Sequence, residues 1–417
     1  MISRFVFKFW FNPISFYSFV WGSVVVLFEL KFIKYYDLEI ETWIIIIVSW
    51  LLYVTGAVTI YLLYPTKAQH TNAEHHISYP VTDINIHHLK KILWVLNLIA
   101  LIAALYNLYL VAKLSGGLFN AFIIGNLVYS YRVAEGIPGS IPYISSLVFT
   151  ASALSGVYTA KVQKITLVGI LPILNIIIID FTIMGRADIF IVAIIFVTTY
   201  FITPKSRTKN YSQFISIRKL LIVVVLLSVI IGGAELIRST RNVKEVFRGS
   251  TGSLKKLSSG SVITPTIYLY FSSSIGVLNQ YFIQNKENTP IGGHTFLTPY
   301  RILERVGVDI HAEVYQEWYK IPTGVNTGTY IRELHGDFGI VGILFGPYLL
   351  GLFTSLFWLR FKEKGRFLDL SLCAFLFGII GLSFIVIATR LGGYFFFPFI
   401  ATGIGIFLDR KMTDKKA

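Results

Sequence analysis

A chain of 417 residues that is 54% hydrophobic, 16% aromatic and only 14% charged is too apolar for a soluble globular protein. Its long apolar runs instead have the ~20-residue length that a helix needs to cross a bilayer. The formal charge of +15 suggests nucleic acid at first sight, but multi-span proteins concentrate Lys and Arg in their cytoplasmic loops, and no nucleic-acid partner is expected.

The chain opens with MISRFVFKFWFNP, which is basic and aromatic, lacks a small-residue cleavage site and leads straight into an apolar run. That pattern reads as a first membrane span and not as a signal peptide. Apolar runs fall at roughly 14–33, 43–63, 92–112, 141–160, 165–183, 188–203, 220–236, 338–359, 368–388 and 394–408. The expected fold is therefore all-α: a polytopic helical membrane protein of about ten spans. It would be one integral membrane domain over 1–417, with a single large loop at 237–337 that contains short helices. Cys373 is the only cysteine, which excludes a disulfide within the chain and a Cys-based metal centre. There is no P-loop, Rossmann glycine pattern or internal repeat, so an ATP-driven pump is not expected.

Orientation follows from the basic residues. With a cytoplasmic N-terminus, 20 of the 37 Lys and Arg fall in inner segments, including the turn RFKEKGR at 360–366, and only 6 in short outer turns. Both termini should then be cytoplasmic and the loop at 237–337 extracytoplasmic. The stretch VITPTIYLYFSSSIGVLNQYFIQN at 262–285 is nearly apolar enough to be a further span, and crossing there would turn RFKEKGR outward. Its Ser272, Ser273, Ser274, Asn279 and Gln280 make a poor lipid-facing surface, so an extracytoplasmic or re-entrant helix lying on the bundle is expected. The inner loop at 64–91 holds His70, His75, His76, His87 and His88. No Cys or paired carboxylate completes a ligand set there, and a polar loop with incidental histidines is the simpler account.

Three groups of polar residues could carry chemistry. Arg186 lies in the turn MGRAD at 184–188, between the fifth and sixth runs. A guanidinium on a tight outer hairpin reaches the depth of lipid phosphates, although pairing with Asp180 or Asp188 and snorkelling to the interface would account for it equally well. Beyond the seventh run, a helical continuation puts Arg238, Arg241, Glu245 and Arg248 within about 80° of one face. Residues 238–256 carry six basic side chains against one acidic, whereas 257–337 carry five against seven. So one-sided a stripe suits an anionic ligand, a plain surface pair of Glu235 with Arg238 being the alternative. At the end of the loop, Glu333, His335 and Asp337 precede the eighth run, where a side chain can take a proton from a substrate hydroxyl. Interfacial anchoring, with Asp337 capping the eighth span, is the alternative there.

The segments FNPISFYSFVWGSVVVLFEL, MGRADIFIVAIIF, IGGHTFLTPYRIL and NTGTYIRELHGDFGIVGILFGPYLLGL together resemble bacterial O-antigen and capsule repeat-unit polymerases of the Wzy type. The resemblance runs from about residue 11 to 358, and its most specific parts are Gly185-Arg186, Asn326-Thr327 and Asp337-Phe338-Gly339. Related polymerases and ligases carry an Arg separated from a Gly by ten residues in an outer loop, a spacing met here by Arg238 with Gly249 and by Arg241 with Gly252. The resemblance implies a GT-C-like polymerase/ligase architecture in the bacterial cytoplasmic membrane. It implies a metal-independent glycosyltransferase with no cofactor, moving a growing glycan from undecaprenyl pyrophosphate to a sugar hydroxyl of another lipid-linked repeat unit at the outer face. Arg186, Arg238, Arg241 and Arg248 would bind the pyrophosphate, and Glu333, His335 or Asp337 would be the base, although the family pattern does not fix a residue at the position of His335. The implied partners are undecaprenyl-pyrophosphate-linked oligosaccharides and the lipid bilayer, with a chain-length regulator and a flippase. An O-antigen ligase is the neighbouring enzyme class, and a lipid-linked oligosaccharide flippase or transporter is the alternative of a different kind. A transporter would carry charge at mid-membrane depth, whereas Glu29 and Asp180 lie near the ends of expected spans.

Overall fold

The computed structural model describes residues 10–64, 85–125, 127–128, 137–183, 185–203, 249–252, 254, 265–284, 289–310 and 316–413, with the single positions 224, 228 and 232. Of the described residues, 77% are helical, and the one sheet among them is a two-stranded ribbon. Helices α1 (Pro13–Glu29), α2 (Ile40–Leu63), α3 (Ile86–Leu114), α5 (Ser145–Val162), α6 (Leu167–Ile183) and α7 (Ala187–Ile202) follow the first six apolar runs, with the short α4 (Leu118–Ile123) after α3. Then come α8 (Pro265–Gln284), α9 (Leu297–Arg305), strands β1 (Tyr319–Lys320) and β2 (Gly324–Val325), α10 (Tyr330–Lys364), α11 (Phe367–Leu382), a 3-10 turn at Ala388–Arg390 and α12 (Gly392–Thr413). Among the described residues, α2, α3, α10 and α12 are long and apolar enough to cross a membrane, and α1, α6, α7 and α11 are shorter apolar helices. The seventh run at 220–236, apart from single positions, and residues 65–84 of the histidine-containing loop lie outside the described residues.

Three limits read from hydrophobicity shift, each for a local reason. The third helix starts at Ile86, where the Asn85 side chain accepts the His87 N–H at 2.9 Å, so His87 and His88 are helical. The ninth run, expected to continue to 388, ends as helix at Leu382. There the Ser383 hydroxyl donates to Ile380 O at 2.7 Å and accepts the indole N–H of Trp21 at 3.0 Å. The eighth helix begins at Tyr330, ahead of the apolar run, and is broken at Gly339, where φ is 61° and ψ −148°.

The chain packs as two compact units. The first comprises Met1–Pro65, Lys244–Leu356 and Ile379–Gly392. Within it, α8 packs on α1 and α2, and its polar residues are used inward. Asn279 accepts from the Glu39 N–H at 2.9 Å and the Thr42 hydroxyl at 2.8 Å, and Ser272 pairs with Tyr35 at 2.7 Å. Two of the polar residues that set 262–285 apart from a lipid-facing helix, Ser272 and Asn279, thus bond to the connection between α1 and α2. Helices α2 and α10 approach backbone to backbone. A Cβ on Gly56 would lie 2.0 Å from the Tyr348 carbonyl oxygen, and one on Gly351 2.1 Å from that of Tyr53, a small-residue contact of the kind that joins helices in lipid.

The second unit comprises Thr66–Val243, Phe357–Gly378 and Gly393–Ala417. Its centre is α5, buried over nearly all its length and packed by α3, α6 and α7. The sequence SSLVFTASALSG is rich in small residues, as a helix surrounded on all sides requires.

Candidate functional site

The site is built around the first turns of α10. Thr329 starts the helix, its hydroxyl accepting the Arg332 N–H at 3.3 Å, as an N-cap does. Ten residues on, Gly339 takes a backbone conformation that favours glycine, and the chain reverses. A Cβ on Gly342 would lie 2.1 Å from the Leu334 carbonyl oxygen, and one on Gly346 2.4 Å from the Leu334 side chain. In a continuous helix, residues eight apart would be separated by about 12 Å. The segment 330–338 is therefore a short arm folded back on the apolar helix that follows it.

Glu333 sits on this arm, completely buried. Its Oε1 accepts from the Arg390 guanidinium and, at 2.6 Å, from the Gln316 amide, while Oε2 accepts the Ile387 N–H. Gln316 accepts the Gly328 N–H at 3.0 Å. Arg332, also fully buried, donates to the Asn326 carbonyl at 3.1 Å and the Glu317 carbonyl at 2.9 Å, with its guanidinium 4.8 Å from the Tyr319 ring centre. Gly328 has to be small, because a Cβ there would lie 2.5 Å from Arg332 Cδ. The Asn326-Thr327 segment and the β1–β2 ribbon are thereby fixed to the arm.

Asp337 does not cap the helix beyond it. Its carboxylate reaches back to the turn before α9, where Oδ1 accepts the His294 N–H at 2.8 Å and Oδ2 accepts the Thr295 N–H at 2.7 Å and the Thr295 hydroxyl at 2.6 Å. The Thr289 hydroxyl donates to Gly336 O at 2.8 Å, and that of Thr389 to Thr295 O at 3.1 Å. The segments IGGHTF and RELHGDFG, 43 residues apart at this contact, meet here. The N-terminal segment arrives as well, through a 2.7 Å hydrogen bond between the Tyr17 and Tyr330 hydroxyls. His335 is partly exposed, with Nδ1 2.7 Å from the Tyr281 hydroxyl.

His294 and Arg390 belong to this site but were not among the residues singled out from the sequence. Arg390 stood as one of six outer-turn cations, yet it is 7% exposed and paired with Glu333. His294 is 3% exposed, and neither ring nitrogen has a hydrogen-bond partner among the described residues. Burial pushes its imidazole down to about 4; the nearby Arg390 and Arg332 guanidinium groups act in the same direction and Asp337 opposes them. With the folded value below the ordinary one near 6.5, the unfolded chain takes up the proton first as pH falls. The stability contribution of neutral His294 is therefore complete above about pH 6.5 and is lost toward pH 4. The melting midpoint of the purified chain should fall over that window, and His294→Phe should remove that part of the fall.

Of the arginines expected to bind pyrophosphate, Arg186 lies among the described residues. Arg186 belongs to the second unit and is half-buried at the residue that opens α7. Around it, the Gly185 N–H donates to the Asp180 carbonyl at 2.8 Å, and the buried Asp180 carboxylate accepts the Ile189 N–H at 3.0 Å, capping α7 from the preceding helix. Arg238, Arg241 and Arg248 lie outside the described residues. Their glycine partners are distinguishable. Gly249 has φ 87°, accepts the Lys34 N–H at 2.9 Å, and a Cβ there would lie 2.6 Å from Pro322 Cγ, whereas a Cβ on Gly252 meets nothing within 4 Å among the described residues. Of the two, Gly249, separated from Arg238 by ten residues, is the position that its described surroundings reserve for glycine.

No family model, characterised protein or solved structure matches the chain.

Proposed function

We propose that the chain is a membrane glycosyltransferase that polymerises oligosaccharide repeat units at the outer face of the bacterial cytoplasmic membrane, with about ten spans and 237–337 outside. The main support is the convergence of three separated segments, FNPISFYSFVW, IGGHTF and NTGTYIRELHGDFG, on the arm that carries Glu333, His335 and Asp337. In the proposed reaction the bond from the sugar anomeric carbon to pyrophosphate breaks, and the acceptor oxygen bonds to that carbon. The acceptor proton passes to a base, and undecaprenyl pyrophosphate leaves as an anion stabilised by Arg186, Arg238, Arg241 and Arg248. Fixed guanidinium groups suit that charge, since they stay protonated and bind phosphate oxygens in a fork.

Among the base candidates, Glu333 and Asp337 each take three hydrogen bonds from the protein, which suits them to holding the arm. His335 fits the base better. If its Nδ1–H donates to Tyr281, the partly exposed ring presents Nε2 as a proton acceptor.

Mass spectrometry of lipid-linked glycans from cells with and without the gene tests the activity. Single repeat units should accumulate in its absence and polymers should return with it; identical glycan profiles would overturn the assignment. In membranes, elongation should survive excess EDTA, because arginines and not a divalent ion carry the leaving-group charge. Loss of elongation in EDTA and its recovery with Mg²⁺ or Mn²⁺ would remove the arginine mechanism.

A further inference from the structure

We propose that His294 contacts the acceptor substrate, its imidazole N–H and bare nitrogen each pairing with a sugar hydroxyl; this rests on the glycosyltransferase assignment above. A neutral imidazole has one N–H donor and one nitrogen acceptor. In His294 both are buried, and neither is paired among the described residues. Buried polar atoms in folded proteins nearly always have partners, so an isolated pair on one ring asks for an explanation. The N–H and the bare nitrogen point to different sides of the ring, and a sugar carries several hydroxyls, each able to donate or accept, so that two of them match the two roles.

The ring is not placed casually. Asp337 fixes the His294 backbone N–H, Thr295 is held by Asp337 at two atoms, and Thr389 holds the Thr295 carbonyl. Gly336 faces the ring without a side chain, and a Cβ there would lie 3.5 Å from Nε2. The charged and titratable groups around it are Arg390 on the 3-10 turn and Arg332 and Asp337 on the arm. Arg332 and Arg390 already donate to backbone carbonyls and to Glu333. That leaves the imidazole as the group here with both hydrogen-bonding roles open.

The test compares the parent full chain with His294→Phe and His294→Gln. Phe keeps an aromatic ring, somewhat larger than the imidazole, and removes the two polar atoms; Gln restores a donor and an acceptor. Two quantities are read: the melting midpoint in detergent without ligand, and the length of lipid-linked glycans in cells at matched membrane abundance. His294→Phe should melt at or above the parent at pH 7 yet slow elongation by about tenfold or more, with partial recovery in His294→Gln. A His294→Phe chain that melts lower but elongates normally makes His294 a packing residue and overturns the proposal. If the parent itself elongates nothing, the polymerase assignment fails separately. The deciding measurement is then stabilisation by a lipid extract from cells lacking the gene. Stabilisation of the parent but not of His294→Phe supports the contact, and any other result overturns it.

Discussion

Replacing Glu333 with alanine is expected to destabilise the first unit by about 3–5 kcal/mol, the usual cost of removing one partner of a buried ion pair. Arg390 is 7% exposed, and Glu333 is the carboxylate with which it forms its described salt bridge. The same substitution leaves the Gln316 amide and the Ile387 N–H without their acceptor. Both of those groups anchor segments distant in sequence, the loop before β1 and the turn after α11, so the loss should spread beyond the arm. Glu333→Gln keeps the shape and an acceptor oxygen and should fall between the parent and Glu333→Ala. Exchanging both partners, as Glu333→Leu with Arg390→Met, should recover much of the stability, because both charges of the buried pair are then replaced by apolar groups. The measurement is the melting midpoint and monodisperse fraction of the purified full chain in detergent, arranged as a double-mutant cycle. A Glu333→Ala chain that melts like the parent would mean the pair is not buried in the working protein. The expected instability also decides how activity data are read: a glycan defect in Glu333→Ala cannot identify a base, whereas one in a stably folded His335→Gln can.

Much of the helical frame was legible in the sequence, because a run of about 20 apolar residues has few structural options in a membrane. Helix limits were less legible wherever a side chain outside the run decides them. The end of α11 at Leu382 depends on Ser383 meeting Trp21, 362 residues away in sequence, which no local pattern encodes. The start of α10 is set by Thr329 among polar residues, so hydrophobicity alone placed it eight residues too late. Glu333, His335 and Asp337 were found because three titratable residues in five positions stand out beside an apolar run. Their division of labour was not visible, since it depends on the partners Arg390, Gln316, His294 and Thr295. Arg390 was in fact hidden by its context: in the sequence it is one more cation beside an apolar run, RLGGYFFF. A signal for His294 was present in GGHTF, where the paired glycines mark a tight turn and Gly292 does take φ 74°.

Substituting lysine for arginine at the proposed pyrophosphate positions should slow elongation by roughly ten- to more than a hundredfold. Lysine keeps the charge but loses the fork that binds two phosphate oxygens at once. A charge-assisted contact of ~1.5–3 kcal/mol, made mainly in the transition state, converts to that range of rates. At an anchoring position lysine snorkels as well as arginine, and the change should be nearly silent. Arg186 tests the hairpin and opens α7 at a residue followed by a carboxylate-capped turn. Arg238 and Arg241 test the two ten-residue spacings, and they should not behave alike. Gly249 is reserved for glycine by its φ of 87° and by Pro322, while a Cβ on Gly252 would meet nothing within 4 Å among the described residues. Gly249 is thus the glycine that its described surroundings require, and Arg238→Lys should show the larger loss if the spacing matters. Arg305, exposed at the end of α9, is the control expected to tolerate lysine. Glycan length and turnover at matched membrane abundance give the comparison. If Arg186→Lys, Arg238→Lys and Arg241→Lys all elongate like the parent, these arginines anchor the chain, and the pyrophosphate of the substrate must be held elsewhere.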